Sequence, residues 1–171
     1  PFHGIAAIRR RISQIGKSVN DSASDGAPIQ RAPVYQTQRR VEFRDTDAAG
    51  IVHFSAFFPM MEAAEHEFLR SVGIPVMPHH ESEERLTWPR VAASCDFHGP
   101  ARFEDILQID LHVDRIGQSS ISYRFELTCE GRRIATGKIT AVCCDLKAGG
   151  KLVKTNVPND LRQRLSGPQN A

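Results

Sequence analysis

Apolar residues recur along this chain at two different periods. From Ser55 to Val72, Phe57, Met61, Ala64, Phe68 and Val72 follow at steps of 4, 3, 4 and 4, with Phe58, Met60 and Leu69 widening the stripe. That spacing puts them on one side of a helix, and so wide a stripe predicts a helix wrapped by other structure. Ser55 is the expected N-cap, and Gly73-Ile74-Pro75 the stop. Beyond the helix the period drops to two. Leu107, Ile109, Leu111 and Val113 alternate with other residues, then Ile121, Tyr123, Phe125, Leu127 and Cys129, then Gly137, Ile139, Ala141 and Cys143. The breaks at Arg115–Gln118 and Glu130–Arg132 are short, which predicts sequential antiparallel neighbours. A further strand is expected over Leu86–Phe97, and one with imperfect alternation over Val34–Phe43. The order strand, helix, four strands is satisfied by one antiparallel sheet curled around a single helix, because every inward face then buries against the same object.

The first residues follow a pattern of their own. Ile5, Ile8, Ile12, Ile15 and Val19 recur at 3, 4, 3 and 4, flanked by Arg9, Arg10 and Arg11. This predicts a basic amphipathic helix over 1–19, which packs on its own domain or a subunit, touches a membrane surface, or serves as a processed leader. Residues 20–33, rich in Ser, Asp, Ala and Pro, read as a flexible linker. The main domain is expected over 34–165 and a short tail over 166–171.

Charge sharpens this division. Residues 1–40 hold seven Lys or Arg against two acids, whereas the rest of the chain is mildly acidic, within a formal net charge of +2. An acidic body offers no broad surface for a phosphate backbone, so nucleic acid is not an expected partner. The four cysteines, Cys95, Cys129, Cys143 and Cys144, form no CxxC pair and no Cys/His cluster of zinc-site spacing. They read as reduced residues of a cytoplasmic protein without a metal. No apolar run reaches the 18 or more residues that span a bilayer.

The segment Phe43-Arg-Asp-Thr-Asp-Ala-Ala-Gly-Ile-Val-His-Phe54 lies between the first strand and the apolar helix. It resembles the acidic motif of the 4-hydroxybenzoyl-CoA and tol-pal-associated acyl-CoA thioesterases of the hotdog superfamily, and is also similar to that of the 1,4-dihydroxy-2-naphthoyl-CoA thioesterases. The resemblance runs over roughly 35–165. It takes in the helix end Glu67-Phe-Leu-Arg-Ser-Val-Gly-Ile-Pro75, the strand Val91–Phe97, Pro100-Ala-Arg-Phe-Glu-Asp105 and Val157-Pro-Asn-Asp-Leu-Arg162. It implies an α+β hotdog fold, a curled antiparallel sheet wrapped around one long central helix. It also implies a homodimer with a continuous sheet, often doubled into a dimer-of-dimers tetramer, with active sites between subunits.

By the same resemblance Asp47 is the catalytic carboxylate, and the Phe54 backbone N–H faces the thioester carbonyl. The chemistry asks independently for such groups. Thioester hydrolysis needs a base or nucleophile at the carbonyl carbon and a donor for the negative charge that develops on its oxygen. Asp47 fits the first need as either general base or nucleophile. The helix opening near Phe54 or Ser55 presents unpaired N–H groups for the second, and Gly50 lets the chain turn tightly with no side chain in the way. Taken alone, an Asp ahead of a helix reads as a cap or turn former, and Asp45 is expected to bind local N–H groups or Arg44. His53 stands where the relatives commonly carry Tyr or Trp. It either fills ring volume or acts on the acyl group or on Asp47.

Further site candidates follow from position. Ser55, Phe57, Phe58 and Met61 suit an acyl pocket or the core. Glu62 is a candidate because another branch of the superfamily uses an acid from this helix. Glu65, His66 and Glu67 read as exposed or paired charges. Arg90 and Arg102 are candidates for coenzyme A phosphates. Ser94 and Cys95 read as strand residues, and His79, His80, Glu81, Glu83 and Glu84 as a loop bordering the acyl pocket. The expected activity is hydrolysis of an acyl-CoA or aroyl-CoA to the free acid and coenzyme A, with no cofactor beyond the coenzyme A of the substrate. The alternatives are a thioesterase acting on acyl carrier protein and a non-catalytic acyl-CoA binding or scaffold protein.

Overall fold

The computed structural model describes residues 32–77 and 85–166. The helix expected over 1–19, nearly all of the linker expected over 20–33, the loop with His79 and His80, and the tail beyond 166 lie outside the described residues. Strand β1 (Tyr35–Arg40) is followed by two 3-10 turns, Phe43–Asp45 and Phe54–Ala56, and the second leads straight into helix α1 (Phe57–Ser71). Then come β2 (Leu86–Thr87), β3 (Arg90–Phe97), β4 (Ile106–Ile116), β5 (Ser120–Cys129), β6 (Arg132–Val142), β7 (Cys144–Leu146), β8 (Leu152–Lys154) and helix α2 (Asn159–Leu165). Five strands form one antiparallel sheet in the order β1-β4-β5-β6-β3, and β2-β7-β8 form a small second sheet. This is the hotdog arrangement, with α1 as the central helix.

The period-two positions are the ones that face the helix. Leu107, Ile109, Leu111, Ile121, Tyr123, Phe125 and Leu127 are all buried, as are Phe57, Met61, Ala64 and Phe68 on α1. Each large apolar side chain so buried contributes about 1.5–3 kcal/mol relative to exposure. Phe68 meets Tyr123 edge-on at 6.5 Å and Tyr35 at 6.3 Å, tying the helix to β5 and β1. The helix approaches β6 so closely at Gly137 that a Cβ there would lie 2.0 Å from Met61 Sδ, so any larger residue would force Met61 to shift. Along β6 the alternation breaks, since Ile134 and Ala135 are both buried, where the pairing with β5 shifts register at Leu127/Thr128.

The expected stops and turns are built with the expected chemistry. Gly73 has φ +70°, its N–H donates to Arg70 O, and the Ile74 N–H donates to Leu69 O, a Schellman closure of α1. Arg164 of α2 then donates to Gly73 O at 2.9 Å, placing a cation at the helix C-terminus. Glu130 and Gly131, both at positive φ, make the two-residue turn between β5 and β6. The other hairpin closes through the Gly117 N–H on Ser120 O, later than the expected Arg115 start, and is held by Arg162, which donates to Gly117 O and Gln118 O.

The elements depart from the expectation in two ways. The strand foreseen over Leu86–Phe97 is two strands, because Trp88-Pro89 interrupts it and β2 leaves for the small sheet. Strands β7 and β8 and helix α2 were not foreseen, being too short to show a period. Among the described residues no helix is long and apolar enough to cross a membrane. A cavity of about 120 Å³ separates the end of α1 from α2, lined by Ile74, Pro75, Leu86, Trp88, Leu161 and the Asp160–Arg164 pair.

Candidate active site

The segment from Glu42 to Ala56 is a chain of short hydrogen-bonded turns between β1 and α1. Asp45 closes the first turn: Glu42 N–H donates to Asp45 Oδ2 at 2.9 Å, and Asp45 N–H returns to Glu42 O at 2.9 Å. Asp45 therefore binds local N–H groups, as expected, while Arg44 Nε stands 4.0 Å from its other oxygen. Thr46 then bridges Val52, so the five residues between them form a closed loop.

Asp47 opens that loop. Its N–H donates to Ile51 O at 2.9 Å, and its C=O accepts from Gly50 N–H at 2.9 Å. Its Oδ1 accepts from Ala49 N–H at 2.8 Å. Among the described residues Oδ2 has no hydrogen-bond partner, and the side chain is half-buried. One carboxylate oxygen is thus oriented by backbone and the other carries no such bond. Gly50 sits at φ +72°, the left-handed region that a tight turn of this hand needs.

Two contacts fix the loop to the rest of the fold. Val52 N–H donates to Ala101 O at 2.8 Å, and Arg102 Nη1 donates to Gly50 O at 3.3 Å. Arg102 itself is held in a turn in which its N–H donates to Asp105 Oδ2. Of the two arginines proposed for phosphate, Arg102 is therefore at the Asp47 loop, whereas Arg90 is engaged elsewhere.

At the start of the helix, His53 takes the capping position assigned to Ser55. The His53 N–H donates to Asp45 O, and its Nδ1 accepts from Ser55 N–H at 3.3 Å and meets Ser55 Oγ at 2.7 Å. The preference for Ser at caps misled the reading, since a ring nitrogen one position earlier offers the same acceptor. Ala56 N–H donates to His53 O. Among the described residues the Phe54 N–H makes no hydrogen bond, so it is the free donor of this turn. The Phe54 ring is 60% exposed and lies 4.4 Å from the His53 ring. Phe57 and Met61 are core residues of this chain, Phe57 meeting Phe97 at 5.4 Å, while Phe58 is half-buried.

A second polar cluster lies further along α1. Glu65 is fully buried, and Arg90 Nη2 donates to its Oε2 at 3.0 Å, while Oε1 has no hydrogen-bond partner. The same guanidinium nitrogen lies 3.0 Å from His66 Nε2 and 3.7 Å from Glu62 Oε1. Burial pushes the Glu65 carboxyl above its ordinary value, with Arg90 opposing. Burial, then Arg90, pulls His66 below its ordinary value, which suits an imidazole that accepts from Arg90. The depth of Glu65 was missed, although a signal was there: it lies four residues after Met61 and three before Phe68, inside the apolar stripe. Glu67 pairs with Arg39. Ser94 and Cys95 lie on β3, and burial pushes the Cys95 thiol up to about 11. Among the described residues no group of three His, Cys, Asp or Glu is arranged to hold a metal ion.

Sequence and fold both have known counterparts. Residues 41–165 match the profile of the thioesterase-like superfamily. The 1,4-dihydroxy-2-naphthoyl-CoA hydrolase of Synechococcus elongatus is 27% identical over 111 residues, 65% of this chain and 82% of that protein. The acyl-CoA thioester hydrolase YbgC of Escherichia coli O6:H1 is 26% identical over 131 residues, 72% of this chain and 92% of its own. The structure of BH1999 gentisyl-coenzyme A thioesterase matches with a TM-score of 0.66 at 30% identity, over 75% of this chain and 99% of that one. With the fold and the Asp47 turn already in hand, these likenesses make the chain a member of the thioesterase-like superfamily, a hotdog-fold thioester hydrolase.

Proposed function

We propose that the protein hydrolyses an acyl-CoA or aroyl-CoA thioester to the free acid and coenzyme A, with Asp47 as the catalytic carboxylate and the Phe54 N–H polarising the carbonyl. The observation that carries this reading is the Asp47 carboxylate, oriented through Oδ1 by Ala49 and free at Oδ2, one short loop ahead of an unpaired helix-start donor. As a base, Oδ2 takes a proton from water while the water oxygen bonds to the thioester carbon. As a nucleophile, Oδ2 bonds to that carbon itself and water later cleaves the mixed anhydride. On either route negative charge passes to the carbonyl oxygen, where the Phe54 N–H receives it, and the C–S bond then breaks to release the thiolate. The names of the relatives support coenzyme A as the thiol. Arg102, exposed beside the loop, is the basic residue best placed to meet an anionic substrate.

Assembly belongs to the same proposal. Strand β3 is an edge of the five-stranded sheet, and Val91 and Phe97 on it are 62% and 51% exposed. An exposed apolar edge strand is a pairing site, and two copies joined along β3 would continue the sheet.

The test is thiol release from acetyl-, hexanoyl-, palmitoyl-, benzoyl- and hydroxynaphthoyl-CoA by the wild-type protein and by Asp47→Asn. Turnover by the wild type that falls at least about 100-fold in the variant is expected, the scale of losing an acid–base group. Turnover undiminished in Asp47→Asn would remove Asp47 from the chemistry. No turnover of any coenzyme A ester by folded protein would overturn the substrate assignment and direct attention to thioesters of acyl carrier protein.

A further inference from the structure

We infer that His53 is a positioning residue whose ring selects the Phe54 N–H as the donor for the thioester carbonyl. The inference rests on the reading of the Asp47 site given above and adds a further residue to it. The 3-10 turn Phe54–Ala56, which runs on into α1, has three N–H groups at its start. His53 engages two of them, Ser55 N–H through its ring and Ala56 N–H through its carbonyl at 2.9 Å, and the third, on Phe54, is left free.

The cap implies one tautomer. A backbone N–H can only donate, so the Ser55 N–H, 3.3 Å from Nδ1, requires a lone pair on that atom, with Ser55 Oγ 2.7 Å from it. The ring proton therefore resides on Nε2. An aromatic hydrocarbon ring at position 53 would fill the same volume with no acceptor, which would release the Ser55 N–H to compete with Phe54 for the substrate oxygen.

The test combines a spectroscopic readout with kinetics. In the ¹⁵N spectrum of the full chain at neutral pH, the His53 ring is expected to show an unprotonated Nδ1 and a protonated Nε2. For the best substrate among benzoyl-CoA and hexanoyl-CoA, His53→Phe is expected to lower kcat several-fold with KM little changed, as the released Ser55 N–H competes for the carbonyl oxygen. His53→Asn, whose side-chain oxygen caps in the same way, is expected to recover most of that loss. A protonated Nδ1 in the wild type, or an unaltered kcat in His53→Phe, would overturn the inference and leave His53 as ring volume. A fully active Asp47→Asn protein would overturn the reading of the site instead, while the tautomer measurement would still decide the cap.

Discussion

Gly50 carries the bend on which the Asp47 loop closes. Alanine there would meet only Arg102 Nη1, at 3.9 Å, so its cost is conformational rather than steric. Holding a residue with a Cβ at φ +72° costs about 1–2 kcal/mol. Gly50→Ala is therefore expected to lower the melting temperature by several degrees and to reduce kcat as the loop relaxes. Thermal unfolding and thiol release check the two effects, and a variant with unchanged melting would show that the loop tolerates another bend. The turn built by Asp47 and Gly50 was legible in the sequence, because chain neighbours supply its hydrogen bonds. Arg102 was legible only as a charge. Its partner, Gly50, is 52 residues away, and nothing local announces the contact. The Ser55 cap failed for a different reason, since capping preferences rank hydroxyls and carboxylates and give the imidazole of His53 no place.

Among the secondary-structure elements, α1 has a stripe interrupted by a charge. Glu65 is raised above its ordinary value of 4.5 by burial, so the fold favours its neutral form more than the unfolded chain does. Its contribution to stability is then complete below 4.5 and is lost as pH rises through the raised folded value. Glu65→Gln keeps the shape and removes the titration. Its melting temperature relative to wild type is expected to climb as pH increases from about 4 to about 8, as this linkage requires. A difference that stays flat across that range would mean that Arg90 compensates the burial completely. The long elements were readable because a wide stripe or a run of alternation repeats many times over 10 to 15 residues. Strands β2, β7 and β8, of two or three residues each, hold no full repeat. Helix α2 has seven residues, of which only Leu161 and Leu165 are buried, a single i,i+4 pair that no periodic search would single out. Its role is tertiary: Arg162 and Arg164 bind carbonyls of the β4–β5 turn and of the α1 terminus.

The molecule as a whole exposes β3 and covers its other long strands on the side of α1. If two copies pair along that edge, Val91→Asp places a charge in the joint on both copies. The variant is expected to elute as a monomer in size-exclusion chromatography, with thioesterase activity reduced if the partner completes the acyl pocket. Equal elution of variant and wild type would exclude this edge as the joint. The region between the end of α1 and α2 lends itself to a different use. Trp88 is the single tryptophan in the chain, it is 4% exposed, and it lines the cavity between the end of α1 and α2. Its fluorescence is consequently a natural gauge of one local event: detachment of the C-terminal helix would wet the indole and redden its emission while the large sheet is still intact. The Asp47 turn contains no tryptophan, so light from this protein reports how firmly its last helix is seated and is silent about its chemistry.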